Sequence, residues 1–489
     1  MKILKVIFKI SLIILCCIIF LPTTLVSANE DIEKQLDSYI ELYLEEYQVP
    51  GASIAIIQNN KVFYTKSWGI TGESEEQVTT ETPFTIGSIS KSLTGLAIMK
   101  LIDENIIELD DPVQKHIPWF KLEDEQEAAQ ITIKHLLAQT SGFSTYTGLS
   151  ISDKESLDFE SIKNNVESLS NVNLTALPGE KHQYSNANFL ILGALIEEVT
   201  NQTYAEYMEQ NVFKPLGMKR AAADYKVAYE KGYLSGYQSW FGIPHKSSVT
   251  YDNGGAPYGY IAASVEDLVQ YIKFLSGKED FNDFLSDHIM NQYLTPHIQT
   301  GENRYYGLGI RISNPDSQDK MIWHSGSTPD SHAEMFYIPK TDWGGVMLTN
   351  KNNQLEEEGL YYLKIGIINI LNGDQPVDIP KNTPTIQFIS LGFVCLLFVL
   401  FIYLLLKLKS IEIHKNGLWA LLGFLCLSLS AILVPLFLKF VGSPWHAIKM
   451  FSPDIASLTI ITVTLLAFNG LLAIRISLKN TARRSIKAI

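Results

Sequence analysis

Three apolar runs close this chain, at 386–406, 418–438 and about 455–474, and none of them carries a charged side chain. Each is long enough to cross a hydrocarbon core of about 30 Å as a helix. Burial inside a soluble core is the alternative, but three such runs in succession argue for transmembrane helices. Whatever precedes them must then fold as a separate body beside a bilayer.

Charge divides the chain in the same way. Residues 1–28 hold Lys2, Lys5 and Lys9 and no acid, and 385–489 hold ten Lys and Arg against Glu412 and Asp454. The stretch between them is near −24, whereas both ends are basic. An acidic body argues against a nucleic-acid partner, whose phosphates call for clustered Lys and Arg. It says little about substrate, because net charge chiefly reports solubility. The four cysteines, Cys16, Cys17, Cys395 and Cys426, all lie in the apolar ends. The body therefore has no disulfide and no thiolate metal site, which suits a bacterial cell surface.

The first residues read as a signal peptide over 1–28: three lysines, an apolar run at 10–21, then Val26-Ser27-Ala28 as a small-residue cleavage site. An uncleaved anchor helix is the alternative. Lys407, Lys409 and Lys415 follow the first apolar run and Arg475, Lys479, Arg483, Arg484 and Lys487 the third, with only Lys439 and Lys449 between the second and third. Positive flanks face the cytoplasm, so residue 385 lies outside, in agreement with an exported body. The expectation is a multi-pass protein of a bacterial cell membrane: an extracytoplasmic domain at 29–371, a linker at 372–384 (NGDQPVDIPKNTP) and a membrane domain at 385–489.

Inside the body, apolar periodicity predicts an opening helix at 31–47 and a strand pair, 52–57 and 61–68, turning at Asn59-Asn60. It also predicts a helix starting near Ser88, a short helix at 133–137 and a helix entered through Tyr184-Ser185-Asn186. Ser264 is a helix N-cap with Asp267 at the third helical position. Strands at 306–312, 321–324, 333–338 and 343–349 follow in meander order, then a helix at 355–371, while the polar stretch 147–178 reads as a surface excursion. The fold class is α+β: an antiparallel sheet flanked by helices, with a mostly helical subdomain inserted.

The stretch FTIGSISKSLTGLAIMK, 84–100, carries the chemistry. Ser88 and Lys91 stand three apart at a helix start, so hydroxyl and amine share one face. An alcohol is a poor nucleophile until a neighbouring base takes its proton, and a packed lysine can do so. S-x-x-K recurs by chance, and Ser317-Gln318-Asp319-Lys320 fits it too, in a polar run with no amphipathic helix behind it. Tyr184-x-Asn186 has its own decoy in Tyr251-Asp252-Asn253.

Ser88-x-x-Lys91, Tyr184-x-Asn186 and His324-x-Gly326, in that order, resemble the serine β-lactamase and penicillin-binding-protein family, and more narrowly its class C or S12 serine-peptidase branch. The likeness covers about 30–372 and includes HLLAQTSGF at 135–143. It implies that Ser88 attacks a carbonyl, that Lys91 and Tyr184 move its proton, and that Asn186 holds Lys91 or a substrate amide. The Ser88 and Ser327 amides would cradle the oxyanion, with Gly326 keeping the strand open. For Tyr184 to act as base its pKa must fall from about 10, which Lys91 could cause. Many relatives have Lys-Thr-Gly where this chain has His324-Ser325-Gly326, so capture of a substrate carboxylate would be weaker with a neutral histidine. No cofactor or metal is implied.

The substrates implied are small peptides, D-amino-acid esters or β-lactams, with carboxypeptidase, esterase and prodrug peptidase left open. The three-helix tail is similar to that of membrane peptidases that remove an N-acyl-D-amino-acid cap from prodrugs, a likeness of architecture alone. The rival is a binding protein that does not turn over, such as a β-lactam sensor. Against it, the tail after Ile474 is too short for an output domain.

Overall fold

The computed structural model describes residues 30–278, 281, 284–409 and 416–487, so the signal-peptide reading of 1–28 lies outside the described residues. An eight-stranded antiparallel sheet organises the body. In chain order its strands are β1 (Gly51–Gln58), β2 (Lys61–Gly69), β3 (Ile298–Gly301), β4 (Arg304–Tyr306), β5 (Arg311–Ser313), β6 (Met321–Thr328), β7 (Ser331–Ile338) and β8 (Trp343–Thr349). The spatial order is β2-β1-β8-β7-β6-β5-β4-β3.

The β1–β2 hairpin turns where expected. Asn59 and Asn60 both have positive φ, 50° and 60°, the conformation whose twist matches the flanking strands and which asparagine tolerates. Strands β1, β7 and β8 are buried along nearly their whole length. β1 and β8 are mostly apolar rather than alternating, as strands covered on both faces are, whereas β7 also buries Ser331, His332 and Glu334.

The helical insertion between β2 and β3 holds α1 (Ile89–Asp103), α2 (Asn186–Thr200) and α3 (Val265–Ser276). Ser264 and Asp267 cap α3 reciprocally, Ser264 Oγ accepting from the Asp267 amide at 3.2 Å and the carboxylate from the Ser264 amide at 2.9 Å. Helix α3 packs on β8 and β1.

Two expectations need correction. The predicted strand at 306–312 is broken into β4 and β5 by a turn in which the Gly307 amide donates to the Ile310 carbonyl at 2.8 Å and Gly309 takes φ +94°. Leu308 and Ile310 are fully buried there, so the turn is a core element that apolar patterning could not tell from a strand. The stretch 147–178 is not simply a surface excursion: it contains helices Thr145–Ser150 and Ser161–Glu167, and Ile151, Ser152 and Asp153 are buried.

After the body come α4 (Thr385–Lys409), α5 (Asn416–Val441), α6 (Trp445–Phe451) and α7 (Pro453–Lys487). Helices α4, α5 and α7 are long and apolar enough to cross a membrane, and α7 packs along both others. Their ends are tied to the body by specific bonds. The Gln354 amide donates to the Phe451 carbonyl at 2.7 Å, and the Phe241 amide to Asp454 Oδ2 at 3.1 Å. His446 Nε2 donates to the Ser152 carbonyl at 3.2 Å. Helix α6 was not foreseen, because seven residues between two spans give no periodicity to read.

Residues 30–49 and 358–382 form a second compact unit. Within it the helix at 30–46 meets helix Glu358–Leu371, and the Tyr39 hydroxyl lies 3.1 Å from the Tyr362 carbonyl and 2.9 Å from that of Val377.

Candidate active site

Ser88 is the N-cap of α1, and the chain reaches it through Gly87 at φ +52°. Gly87 and Gly326 press together so closely that neither can carry a side chain. A Cβ on Gly87 would fall 2.1 Å from the Ser327 amide nitrogen, and one on Gly326 would fall 2.6 Å from that of Ser88. Without Cβ atoms, the start of α1 lies directly against β6 and the Ser88 and Ser327 amides take adjacent positions.

Lys91, one turn along α1, is fully buried. Its amine donates to Ser88 Oγ at 2.9 Å and to the Tyr258 carbonyl at 2.7 Å. It also stands 5.0 Å from the centroid of the Tyr184 ring and 5.7 Å from that of Tyr258. Burial drives its pKa well below the ordinary lysine range, and the nearby Arg311 charge pushes the same way, while Asp153 opposes them.

Tyr184 enters the site just before α2, its ring lying beside the Lys91 amine and the Arg311 guanidinium and its hydroxyl near enough to Ser88 and Arg311 for both to act on its pKa. Its pKa is raised by burial, with Arg311 and Ser88 opposing but not overcoming that effect. The expectation of a depressed phenol is therefore overturned. Burial disfavours the charged form of both groups, so a desolvated lysine does not offset the cost of a buried phenolate. Asn186, at the first turn of α2, lines the same cavity, and its amide donates to Ser152 Oγ at 2.9 Å.

Strand alternation sorts the β6 residues. Ser325 and Ser327 are partly exposed and line the cavity, whereas His324, between Trp323 and Ser325, is fully buried. The His324 ring donates through Nδ1 to the Ser325 carbonyl at 2.6 Å, and its Nε2 is 3.4 Å from the Tyr306 hydroxyl. His324, expected to meet a substrate carboxylate, is thus not among the residues that line the cavity. Ser317, in the decoy motif, is exposed in the loop between β5 and β6 and does not line it either.

The cation facing the cavity is Arg311 on β5, which the sequence reading passed over. It pairs in register with Trp323 and therefore shares the face of Ser325. Its guanidinium lies 5.1 Å from the Tyr184 ring centroid, 5.6 Å from Tyr306 and 5.4 Å from Trp323, and its buried Nε has no hydrogen-bond partner. Meander alternation counted back from Ser325 would have found it.

Two buried carboxyls were also missed. Asp153 accepts from the Tyr260 hydroxyl at 2.7 Å and Asp252 from the Lys154 amide at 3.0 Å, and burial pushes each up to about 6. Glu357, raised by burial, also lines the cavity and accepts from Gln354 Nε2 at 2.9 Å. The whole cavity measures about 830 Å³, within the range of sites that enclose one small ligand.

Such an arrangement can perform nucleophilic acyl transfer: a hydroxyl bonded to a desolvated amine, a phenol in the same cavity, two adjacent amides and a fixed cation. The β-lactamase family model matches residues 36–366. "Protein flp" of Staphylococcus aureus strain MW2 is 28% identical over 470 residues, covering 91% of each chain. "Penicillin-binding protein 4*" of Bacillus subtilis strain 168 is 26% identical over 365 residues, 71% of this chain and 78% of that one. Among solved structures, the octameric penicillin-binding protein homologue from Pyrococcus abyssi superposes with a TM-score of 0.61 at 28% identity, covering 78% of this chain and 82% of that one.

Proposed function

Because the chain belongs to the β-lactamase family of serine hydrolases, which act on β-lactam or peptide substrates, we propose that it is a membrane-tethered, extracytoplasmic member of the class C, S12 branch that cleaves D-amino-acid amides or esters through an acyl-enzyme. The single observation that carries this reading is the 2.9 Å bond from the Lys91 amine to Ser88 Oγ at a cavity lip. Three helices able to cross a membrane, with basic flanks on one side, support the tethering and the outward orientation.

In the acylation step Ser88 Oγ bonds to the substrate carbonyl carbon while its proton passes to the neutral Lys91 amine. The negative oxygen that results is held by the Ser88 and Ser327 amides. Collapse breaks the C–N or C–O bond, and the leaving group takes a proton from the Tyr184 hydroxyl, which Lys91 replenishes. Water then attacks the ester carbonyl and the same groups run in reverse. Tyr184 serves as a neutral relay, in keeping with its raised pKa. Arg311, not His324, supplies the fixed positive charge for a substrate carboxylate, and Asn186 meets the substrate amide.

A fluorescent penicillin or an acyl phosphonate tests the proposal. Labelling should vanish in Ser88→Ala and persist in Ser317→Ala. Equal labelling of the two variants would sink it. Acyl-enzyme decay by hydrolysis distinguishes a turning-over hydrolase from a sensor that stays acylated.

A further inference from the structure

A short hairpin of the body reaches the ends of the spans. Strands Tyr237–Trp240 and Ile243–Lys246 pair with Trp240 opposite Ile243, so Phe241 and Gly242 alone make the turn. Both take positive φ, 53° and 85°. Such a turn favours asparagine followed by glycine, and a bulky aromatic residue at its first position is strained. A strained residue persists only where its surroundings over-determine it.

Phe241 is fixed from two helices. Its amide donates to Asp454 Oδ2 at 3.1 Å, at the second residue of α7, and its ring centroid lies 5.5 Å from that of Phe388 in the first turn of α4. The Lys351 amine donates to the Gly242 carbonyl at 2.7 Å. Both partners also carry apolar side chains in the open: Ile243 on the hairpin is 53% exposed, and on α4 Phe388 is 58% and Ile389 68% exposed. In the topology read from the flanking charges, α4 and α7 both start outside. Two independent contacts therefore hold the turn at the level where the hydrocarbon begins. His245 and Lys246, behind the tip, are exposed polar groups suited to headgroups and water.

Two kinds of partner could cover Ile243. Its strand is the edge of a three-stranded sheet, which a second chain could extend, but Pro244 removes one backbone donor from that edge. A bilayer interface asks for no such ladder, because headgroups and water still bond the edge groups there.

We propose that the Trp240–Ile243 turn is a lipid-binding anchor of the body, its Phe241 and Ile243 side chains entering the outer leaflet at the boundary between headgroups and acyl chains. The inference rests on the membrane-tether reading and goes beyond it, since nothing in the spans requires the body itself to touch lipid.

The full-length protein in phosphatidylcholine vesicles tests this, with one cysteine carrying nitrobenzoxadiazole, the other cysteines replaced by serine, and doxyl lipids as quenchers. Ile243→Cys reports on the turn. Cys395, exposed on α4, reports on the span, and Ser317→Cys, exposed between β5 and β6, reports on water. Lipid quenching at Ile243→Cys should exceed that at Ser317→Cys by about twofold or more, and a doxyl group near the headgroup should quench it better than one near the chain end. Phe241→Asn, which suits the turn itself, should reduce that quenching by about half or more. If Ile243→Cys does not fold, the difference in lipid quenching of tryptophan emission between wild type and Trp240→Phe decides the matter. A label at 243 that only an aqueous quencher reaches, while Cys395 is quenched by lipid, overturns the anchor and leaves the tether standing. A label at 243 shielded from both quenchers also overturns it and points to a protein partner on the turn. A Cys395 label that lipid does not quench is the distinct outcome that removes the tether reading and this inference with it.

Discussion

The Arg311 guanidinium lies over the Tyr184 ring, 5.1 Å from its centroid. A permanent cation thus touches the phenol, while the lysine beside that phenol is desolvated. In this site the charge that never titrates and the amine that can accept a proton are different residues.

Arg311→Met should therefore lower kcat/KM for a D-alanyl-D-alanine peptide ending in a free carboxylate by about 30- to 100-fold, the worth of one charge-assisted hydrogen bond. The C-terminal amide of the same peptide should lose much less. Arg311→Lys should recover little, since an ammonium cannot span the three aromatic rings and the phenol together. Equal losses on acid and amide would show that Arg311 acts only by positioning Tyr184.

Lys91→Arg distinguishes a base from a cation at that position. Arginine keeps the charge and cannot give up its proton, so the variant should be as dead as Lys91→Ala, about a thousandfold or more below wild type in acylation rate. Because the lysine pKa is lowered, the amine is free well below the ordinary lysine range, and acylation should rise with pH and level off before that range is reached. A rate still climbing at the ordinary lysine pKa would refute the assignment.

Asp153 and Asp252, both pushed up to about 6 by burial, give a stability signature. Their unfolded pKa is about 3.9, so between about pH 4 and 6 the folded protein binds more protons than the unfolded chain. Stability attributable to these groups is present below that window, falls as pH rises through it, and is level above it. Asp153→Asn should remove about 3 kcal/mol of the fall across the window, read from melting temperatures at a series of pH values. An unchanged slope would mean that this carboxyl is not desolvated.

Gly326→Ala should abolish labelling, because the new methyl would sit 2.0 Å from the Ile86 carbonyl oxygen. Overpacking of this kind costs about 1–3 kcal/mol and would part β6 from the start of α1. A variant that retains wild-type labelling would argue that the two amides need not adjoin.

Asp454 is completely buried and accepts from the Phe241 amide and from Asn353 Nδ2, the latter at 3.3 Å. Asp454→Ala leaves those donors unsatisfied, at a cost of about 1–3 kcal/mol. Limited proteolysis should then cut near Ser452 faster than in wild type, even if Ser88 still labels. Unchanged proteolysis would mean that the tie between α7 and the body lies elsewhere.

The sequence by itself determined whatever depends on neighbours along the chain. The Asn59-Asn60 turn, the Ser88 N-cap with Lys91 one turn on, the Ser264 cap and the three long apolar helices each follow from spacing that a single element expresses. Charge asymmetry added an orientation, which topology mapping can check. Only the tertiary structure decided what depends on desolvation and on which face a strand turns inward. It broke the 306–312 run into two strands, buried His324 while bringing Arg311 to the cavity, and raised the Tyr184 pKa, which the base role implied by the resemblance would have required to fall. It also brought α6 over the catalytic cleft. Burial and register are properties of residues hundreds of positions apart, and no local periodicity carries them.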